Sequence, residues 1–272
     1  MLECVINISE GRREDVIAEL AASSGPCLLD VHRDPSHNRS VLTLAGPTDL
    51  LVDGVRALAR ATVARLDLTV HEGVHPRIGV LDVVPWVPLS GPLTPALAER
   101  DAFAHWAGAT LQLPCFLYGP ERALPDIRRH AWTNLGPDTG PDRPHPTAGA
   151  AAVGGRRPLV AYNVWLAHPD LDLARAIAAE LRGPTVRALG LAVGDAVQVS
   201  FNLIAADQTG PAAVFDAVAR RTDVARAELV GLVPASVLDA IAGHRGPELD
   251  LDRSRTIEAR LEQAGLDGGS RA

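Results

Sequence analysis

The residues His71-Glu72-Gly73-Val74-His75-Pro76-Arg77-Ile78-Gly79 gather two imidazoles, a carboxylate and a guanidinium in one short stretch. Two chemistries fit those types. The spacing His71-Glu72-x-x-His75 is that of helical zinc sites, where residues i and i+4 share a face and both rings reach one metal. The alternative is proton transfer by a histidine near its ordinary pKa of about 6.5, beside an arginine that holds a carboxylate. Pro76 separates the two. Its ring disfavours the α region for His75, and a helical Pro76 would clash with the carbonyl of Glu72. Gly73 weakens a helix further, by about 1 kcal/mol relative to Ala. The segment therefore reads as a loop running into an extended stretch, with no metal bound. Such a loop is a polar site displayed by a rigid scaffold. Either histidine could serve, with Arg77 as a neighbouring carboxylate fork.

Other polar residues occupy places that need explaining. Arg39 opens an apolar run and reads either as a second carboxylate fork or as a strand end facing solvent. His37 lies in the turn Asp34-Pro35-Ser36-His37-Asn38, and His32 just before it. Asn163, Gln198 and Asn202 interrupt apolar strands, where a buried amide must pair with backbone or face a ligand. Glu228 precedes Leu229-Val230-Gly231 and reads either as a bidentate acceptor of ligand N–H groups or as a solvated strand start.

Composition removes whole reaction classes. All 26 basic residues are arginine, so no Schiff-base lysine and no phosphate-loop lysine exists. A formal charge of −7 and only 4% aromatic residues argue against nucleic-acid or anionic-membrane partners. Three well-separated cysteines, each in or beside an apolar run, read as buried reduced thiols. With no secretory leader pattern and no apolar run of about 18 residues, a reducing cytoplasm is the expected compartment.

The elements that must position these side chains follow from the apolar pattern. Strands are expected at Leu2–Asn7, Cys27–His32, Arg39–Ala45, Ile78–Val87 and Pro114–Tyr118. Helices fall between them at Arg12–Ala22 (capped by Ser9), Gly46–Leu66 and Thr94–Leu111 (capped by Thr94). From Gly119 to Arg157 regular pattern is lost, and the Pro/Gly-rich Gly136–Gly149 reads as either a functional loop or a linker. Beyond it come strand Leu159–Leu166, helix Asp170–Leu181, strands Val186–Val193 and Val197–Ile204, helix Pro211–Arg220 and strand Ala227–Val233. Closing helices are expected at Leu238–His244 and Thr256–Gly265. Both halves begin β-α-β-β-α-β, the ferredoxin-like order. The fold class is therefore α+β, with two ferredoxin-like subdomains at 1–155 and 156–272.

Several runs resemble one family in order along the chain. They are ECVINISEG at Glu3–Gly11, LLDV and PSHNRSV within Leu28–Val41, and HEGVHPRIGVLDVVP at His71–Pro85. PDTGP at Pro137–Pro141, AYNVWL at Ala161–Leu166, QVSFNL at Gln198–Leu203 and ELVGLVP at Glu228–Pro234 follow. Together they resemble glutamate formiminotransferase, also found as the N-terminal half of formiminotransferase-cyclodeaminase. The resemblance implies two ferredoxin-like subdomains around a ligand tunnel, and transfer of the formimino group from N-formimino-L-glutamate to tetrahydrofolate, the co-substrate. It implies His75 as the catalytic histidine and a folate-contacting segment at Gly140, Pro141, Thr147, Ala148 and Gly149. Arg77, Arg39, His37, His32, Asn202 and Glu228 are the expected substrate contacts, and a homodimer is implied by the same analogy. The chain departs from the family at Val74 and His32, where acidic residues are familiar, and at Ile6, where the family has proline. Val74 and His32 keep open a folate-binding homologue without transfer, and formyl transfer between 5-formyltetrahydrofolate and glutamate is a second alternative.

Overall fold

In a computed structural model the chain divides into two compact units, Met1–Arg157 with Ala264–Ala272, and Pro158–Gln263. The structure describes residues 1–73 and 76–267. The first unit begins with β1 (Leu2–Ile8), which buries Leu2, Cys4, Ile6 and Ile8 on one face, the period-2 signature of a strand. It is followed by α1 (Glu14–Ser23), β2 (Leu28–Asp34), β3 (Arg39–Gly46), α2 (Thr48–Arg65), β4 (Leu81–Pro88), α3 (Thr94–Thr110) and β5 (Cys115–Tyr118). The sheet order is β2-β3-β1-β4 with antiparallel neighbours, the ferredoxin-like arrangement expected from the chain order.

The segment 119–157, expected to lack regular structure, holds α4 (Leu124–His130) and β6 (Ala151–Gly155). Strand β6 lies between β4 and β5 and runs parallel to both. Its sequence, Ala-Ala-Val-Gly-Gly, carries no large side chain because the space is taken by others. A Cβ on Gly154 would stand 2.0 Å from the Tyr118 ring. A buried strand of small residues has no alternation to reveal it.

Two capping expectations are corrected. Ser9 does not cap α1; its hydroxyl donates to the Gly79 carbonyl at 2.8 Å. The Glu10 carboxylate meets the N–H groups of Arg12 and Arg13 instead, at 2.8 and 2.9 Å. Thr94 lies inside α3 and makes no side-chain cap. Strand β4 starts at Leu81 rather than Ile78, since residues 76–80 are held by the loops described below. All three cysteines are buried and free, and burial pushes Cys27 up to about 11 and Cys115 to about 12, so both stay thiols.

The second unit repeats the pattern with β7 (Val160–Leu166), α5 (Leu171–Leu181), β8 (Val186–Val193), β9 (Ala196–Leu203), α6 (Pro211–Ala219) and β10 (Val224–Val230). Its sheet order, β10-β7-β9-β8, is again the ferredoxin-like one. Tyr162, Val164, Val199, Phe201 and Leu229 form one face packed under the helices, leaving the alternate residues on the other. Short helices α7 (Ala235–Asp239) and α8 (Ile257–Gln263) follow; α7 lies earlier than the expected Leu238–His244, which it overlaps only at 238–239, and α8 is shorter than expected. Among the described residues, no helix is long and apolar enough to cross a membrane.

Candidate active site

The polar residues of the first unit converge because of strand register. Ile8, at the end of β1, pairs with Ser40 at the start of β3 and with Leu81 at the start of β4. The β2–β3 turn, the residues after β1 and the loop before β4 therefore meet at one end of the sheet. Asp34 closes the turn, accepting the N–H groups of Ser36 and His37 at 2.8 Å each and the Nδ1 of His37. Burial raises its pKa, but those His37 and Ser36 hydrogen bonds outweigh it and hold the carboxyl down to about 2. His37 is thereby fixed and 8% exposed.

Asn38 adopts the left-handed conformation (φ 49), which asparagine tolerates better than most residues. Its carboxamide staples three segments. Oδ1 accepts from Gly11 N at 2.9 Å, and Nδ2 donates to Glu72 O at 2.7 Å. The backbones approach so closely that a Cβ on Gly11 would lie 2.2 Å from Asp34 O, and one on Gly73 would lie 2.5 Å from His37 O. Glycine is required at both.

Arg77 donates to His37 O at 3.0 Å and Asn38 O at 3.3 Å, so two of its contacts brace the turn. The charge of Asp82 acts on Arg77; that residue, 1% exposed, was missed by sequence reasoning. Arg128 of α4 grips it with two parallel bonds, NH1 to Oδ1 at 2.7 Å and NH2 to Oδ2 at 2.5 Å. Oδ1 also accepts the Ile78 N–H at 2.8 Å. Burial lowers the pKa of both Arg39 and Arg77, and the Asp82 charge acts against that burial at each. Three guanidinium groups thus share the field of one buried carboxylate. Asp82 had a signal, a charge inside the apolar run Val80–Val87; Arg128, on a helix expected as loop, had none.

His71 lies on the same loop with its backbone extended (φ −87, ψ 131), so the described half of the H-E-x-x-H spacing is not helical. Among the described residues no group of three or more His, Cys, Asp or Glu could hold a metal. Burial, then Arg77, drives the His71 pKa down to about 4, so the ring is neutral near pH 7. Val74 and His75 lie outside the described residues.

His32 falls on β2 opposite Val41, one residue after Val31, which packs on the first core, so it sits on the other face of the sheet. Thr147, Ala148 and Gly149 back the loop that carries His71. Leu68 N donates to Thr147 O at 2.7 Å and Val80 N to Ala148 O at 3.0 Å. Gly149 (φ +71) would place a Cβ 2.4 Å from Ile78 O. The backbone bonds described for them are to the loop and to His145. Gly140 and Pro141 line a separate open depression of about 520 Å³ with His105, Gly108 and Gln112.

In the second unit, Glu228 on β10 accepts from Trp165 Nε1 at 2.8 Å and Asn163 Nδ2 at 3.2 Å. Strand β7 pairs Asn163 with Glu228 on one side and Ala161 with exposed Asn202 on the other. Two-residue periodicity puts all of these on the face away from the helices. Gln198, 1% exposed and register partner of Trp165, shares that face, and its Oε1 is buried without a hydrogen-bond partner.

Comparison with known proteins now decides the family. A family model described as the formiminotransferase domain, N-terminal subdomain, matches residues 1–156. The chain is 33% identical to the glutamate formimidoyltransferase of Streptococcus pyogenes serotype M1, with 94% of this chain and 97% of that one covered. The chain belongs to the formiminotransferase family. Membership makes it a transferase. Glutamate formimidoyltransferase of Thermoplasma acidophilum is 31% identical over 97% of this chain and 98% of its own. Formimidoyltransferase-cyclodeaminase of Sus scrofa is 34% identical over 98% of this chain, which covers 57% of that longer protein.

Proposed function

We propose that the chain transfers the formimino group of N-formimino-L-glutamate to tetrahydrofolate, releasing glutamate. The observation that carries this reading is the full-length similarity to two glutamate formimidoyltransferases, joined to an arginine-rich polar end of the first sheet. Both substrates carry carboxylates, and arginine is the side chain whose fork matches them.

Two acceptors support folate binding. On the face of the second sheet away from its helices, the buried, partnerless Gln198 Oε1 and the Glu228 carboxylate are acceptors suited to the N–H groups of a pterin. Tetrahydrofolate, when bound, supplies the nucleophilic N5. His75 takes the proton from N5 as the N5–carbon bond forms and returns it to the glutamate nitrogen as that carbon–nitrogen bond breaks. One proton moves and no charge is created. A histidine near its ordinary pKa serves both halves at neutral pH. Arg77 and Arg39 supply positive charge for the substrate carboxylates. His37, braced by Asp34, is rigid enough to position a ligand, and His32 and Asn202 complete the proposed contacts. Gly140, Pro141 and the Thr147–Gly149 turn are the proposed folate-side segment, the turn acting through the shape of the loop it supports.

The test is a coupled assay with tetrahydrofolate and formiminoglutamate, scoring 5-formiminotetrahydrofolate and released glutamate together. Equal amounts of both support the reading. Turnover with 5-formyltetrahydrofolate and glutamate but none with the formimino donor would select formyl transfer, and folate binding without either reaction would select a non-catalytic binder.

A further inference from the structure

The mechanism above uses one histidine of the loop, yet His71 is the one with an unexplained atom. Its Nε2 is shut off from solvent and has no hydrogen-bond partner. The other edge of the ring defines the tautomer. The Asn38 carboxamide is oriented by Gly11 N at its oxygen and Glu72 O at its nitrogen. That orientation turns Nδ2, a donor, toward His71 Nδ1 at 3.5 Å, so Nδ1 presents its lone pair. A neutral imidazole with its lone pair at Nδ1 carries its proton at Nε2. The partnerless atom is therefore an N–H donor, and a buried donor left unpaired costs about 1–3 kcal/mol.

The field around the ring says what that donor meets. Arg77, Arg12 and Arg13 act on it as positive charges and Glu10 as a negative one. Arg12 is held by Pro35 O at 3.1 Å, and Arg77 by the carbonyls of His37 and Asn38. Arg13 is tied back to Glu10, and Arg77 is the charge that acts most strongly on the ring. An acceptor bearing negative charge gains from Arg77 and Arg12.

We propose that His71 is a positioning residue whose neutral Nε2–H binds a carboxylate of the acidic amino-acid substrate, in the field of Arg77 and Arg12. The inference rests on the transferase reading and adds a specificity role to it.

The test compares wild type with His71→Phe, which keeps a ring but no donor, and His71→Gln, whose amide replaces the N–H. Steady-state constants are measured for formiminoglutamate and tetrahydrofolate separately, with thermal unfolding as the control for folding. A hydrogen bond to a charged group predicts that His71→Phe raises KM for formiminoglutamate by about tenfold or more. KM for tetrahydrofolate and kcat stay within about threefold, and His71→Gln recovers most of the loss. A second measurement keeps the inference testable if His71→Phe fails to fold. In wild type labelled with ¹⁵N-histidine, titration with glutamate shifts one neutral Nε2–H resonance, absent from His71→Gln. Unchanged KM in an active His71→Phe, a rise confined to tetrahydrofolate, a fall in kcat alone, or no responding resonance would overturn it. Inactive wild type would instead overturn the transferase reading.

Discussion

Replacing Asp82 with asparagine tests whether one buried carboxylate organises the loop before β4. The side chain keeps its shape, and Oδ1 still accepts the Ile78 N–H. What changes is Oδ2, which becomes an NH₂ group facing the Arg128 guanidinium across a former 2.5 Å bond. One charge-assisted hydrogen bond, worth about 1.5–3 kcal/mol, becomes a contact between donors. The Arg128 charge, on a side chain 16% exposed, then lies beside Arg39 and Arg77 with no counter-charge at position 82. Breaking a fully buried pair costs about 3–5 kcal/mol. Partial access of Arg128 to water reduces this, so Asp82→Asn is expected to cost about 3 kcal/mol, or about 6–12 °C in Tm. Urea unfolding of Asp82→Asn, Arg128→Met and the double variant measures the coupling directly. The double variant is expected to be more stable than Asp82→Asn, because the uncompensated charge is gone. A cost below about 1 kcal/mol for Asp82→Asn, or coupling below about 0.5 kcal/mol, would refute the reasoning.

Three further outcomes are expected. His75→Ala lowers kcat by about 10²–10⁴ with tetrahydrofolate binding kept, read by steady-state kinetics and calorimetric titration; loss of folding would assign His75 a structural role. Gly79→Ala places a Cβ 2.0 Å from Ala150 O, so the loop and β6 must separate, costing about 2 kcal/mol or more by thermal unfolding. His71 binds its proton less tightly folded (about 4) than unfolded (about 6.5), so its contribution is complete above pH 6.5 and lost as pH falls toward 4. That loss is at most about 3 kcal/mol, and about 1–2 after solvent screening, and His71→Gln should flatten this part of the stability–pH curve.

How much was legible depended on whether neighbours could be inferred from a residue's own surroundings. The two ferredoxin-like cores followed from strands and helices whose apolar periods speak for themselves, as in Leu2–Ile8 and Thr48–Arg65. Strand β6 was not legible, because Gly154 and Gly155 are small to admit Tyr118 and Leu97, a fact of tertiary packing. At the site, Pro76 marked the loop and Arg39, His37 and Arg77 were singled out from type and place. Their division of labour was hidden, since Arg77 binds carbonyls 39 and 40 residues away in the chain. Asn38 shows the same limit. Nothing in Ser-His-Asn-Arg announces a carboxamide that joins Gly11 to Glu72.

The most direct measurement is a single-turnover reaction of purified protein with tetrahydrofolate and N-formimino-L-glutamate, followed by mass spectrometry of both products. One glutamate released for each 5-formiminotetrahydrofolate formed, with His75→Ala folded but slower by at least about a hundredfold, is the expected result. Glutamate released without formimino-folate would mean hydrolysis, and no reaction in protein that binds tetrahydrofolate would contradict transfer itself.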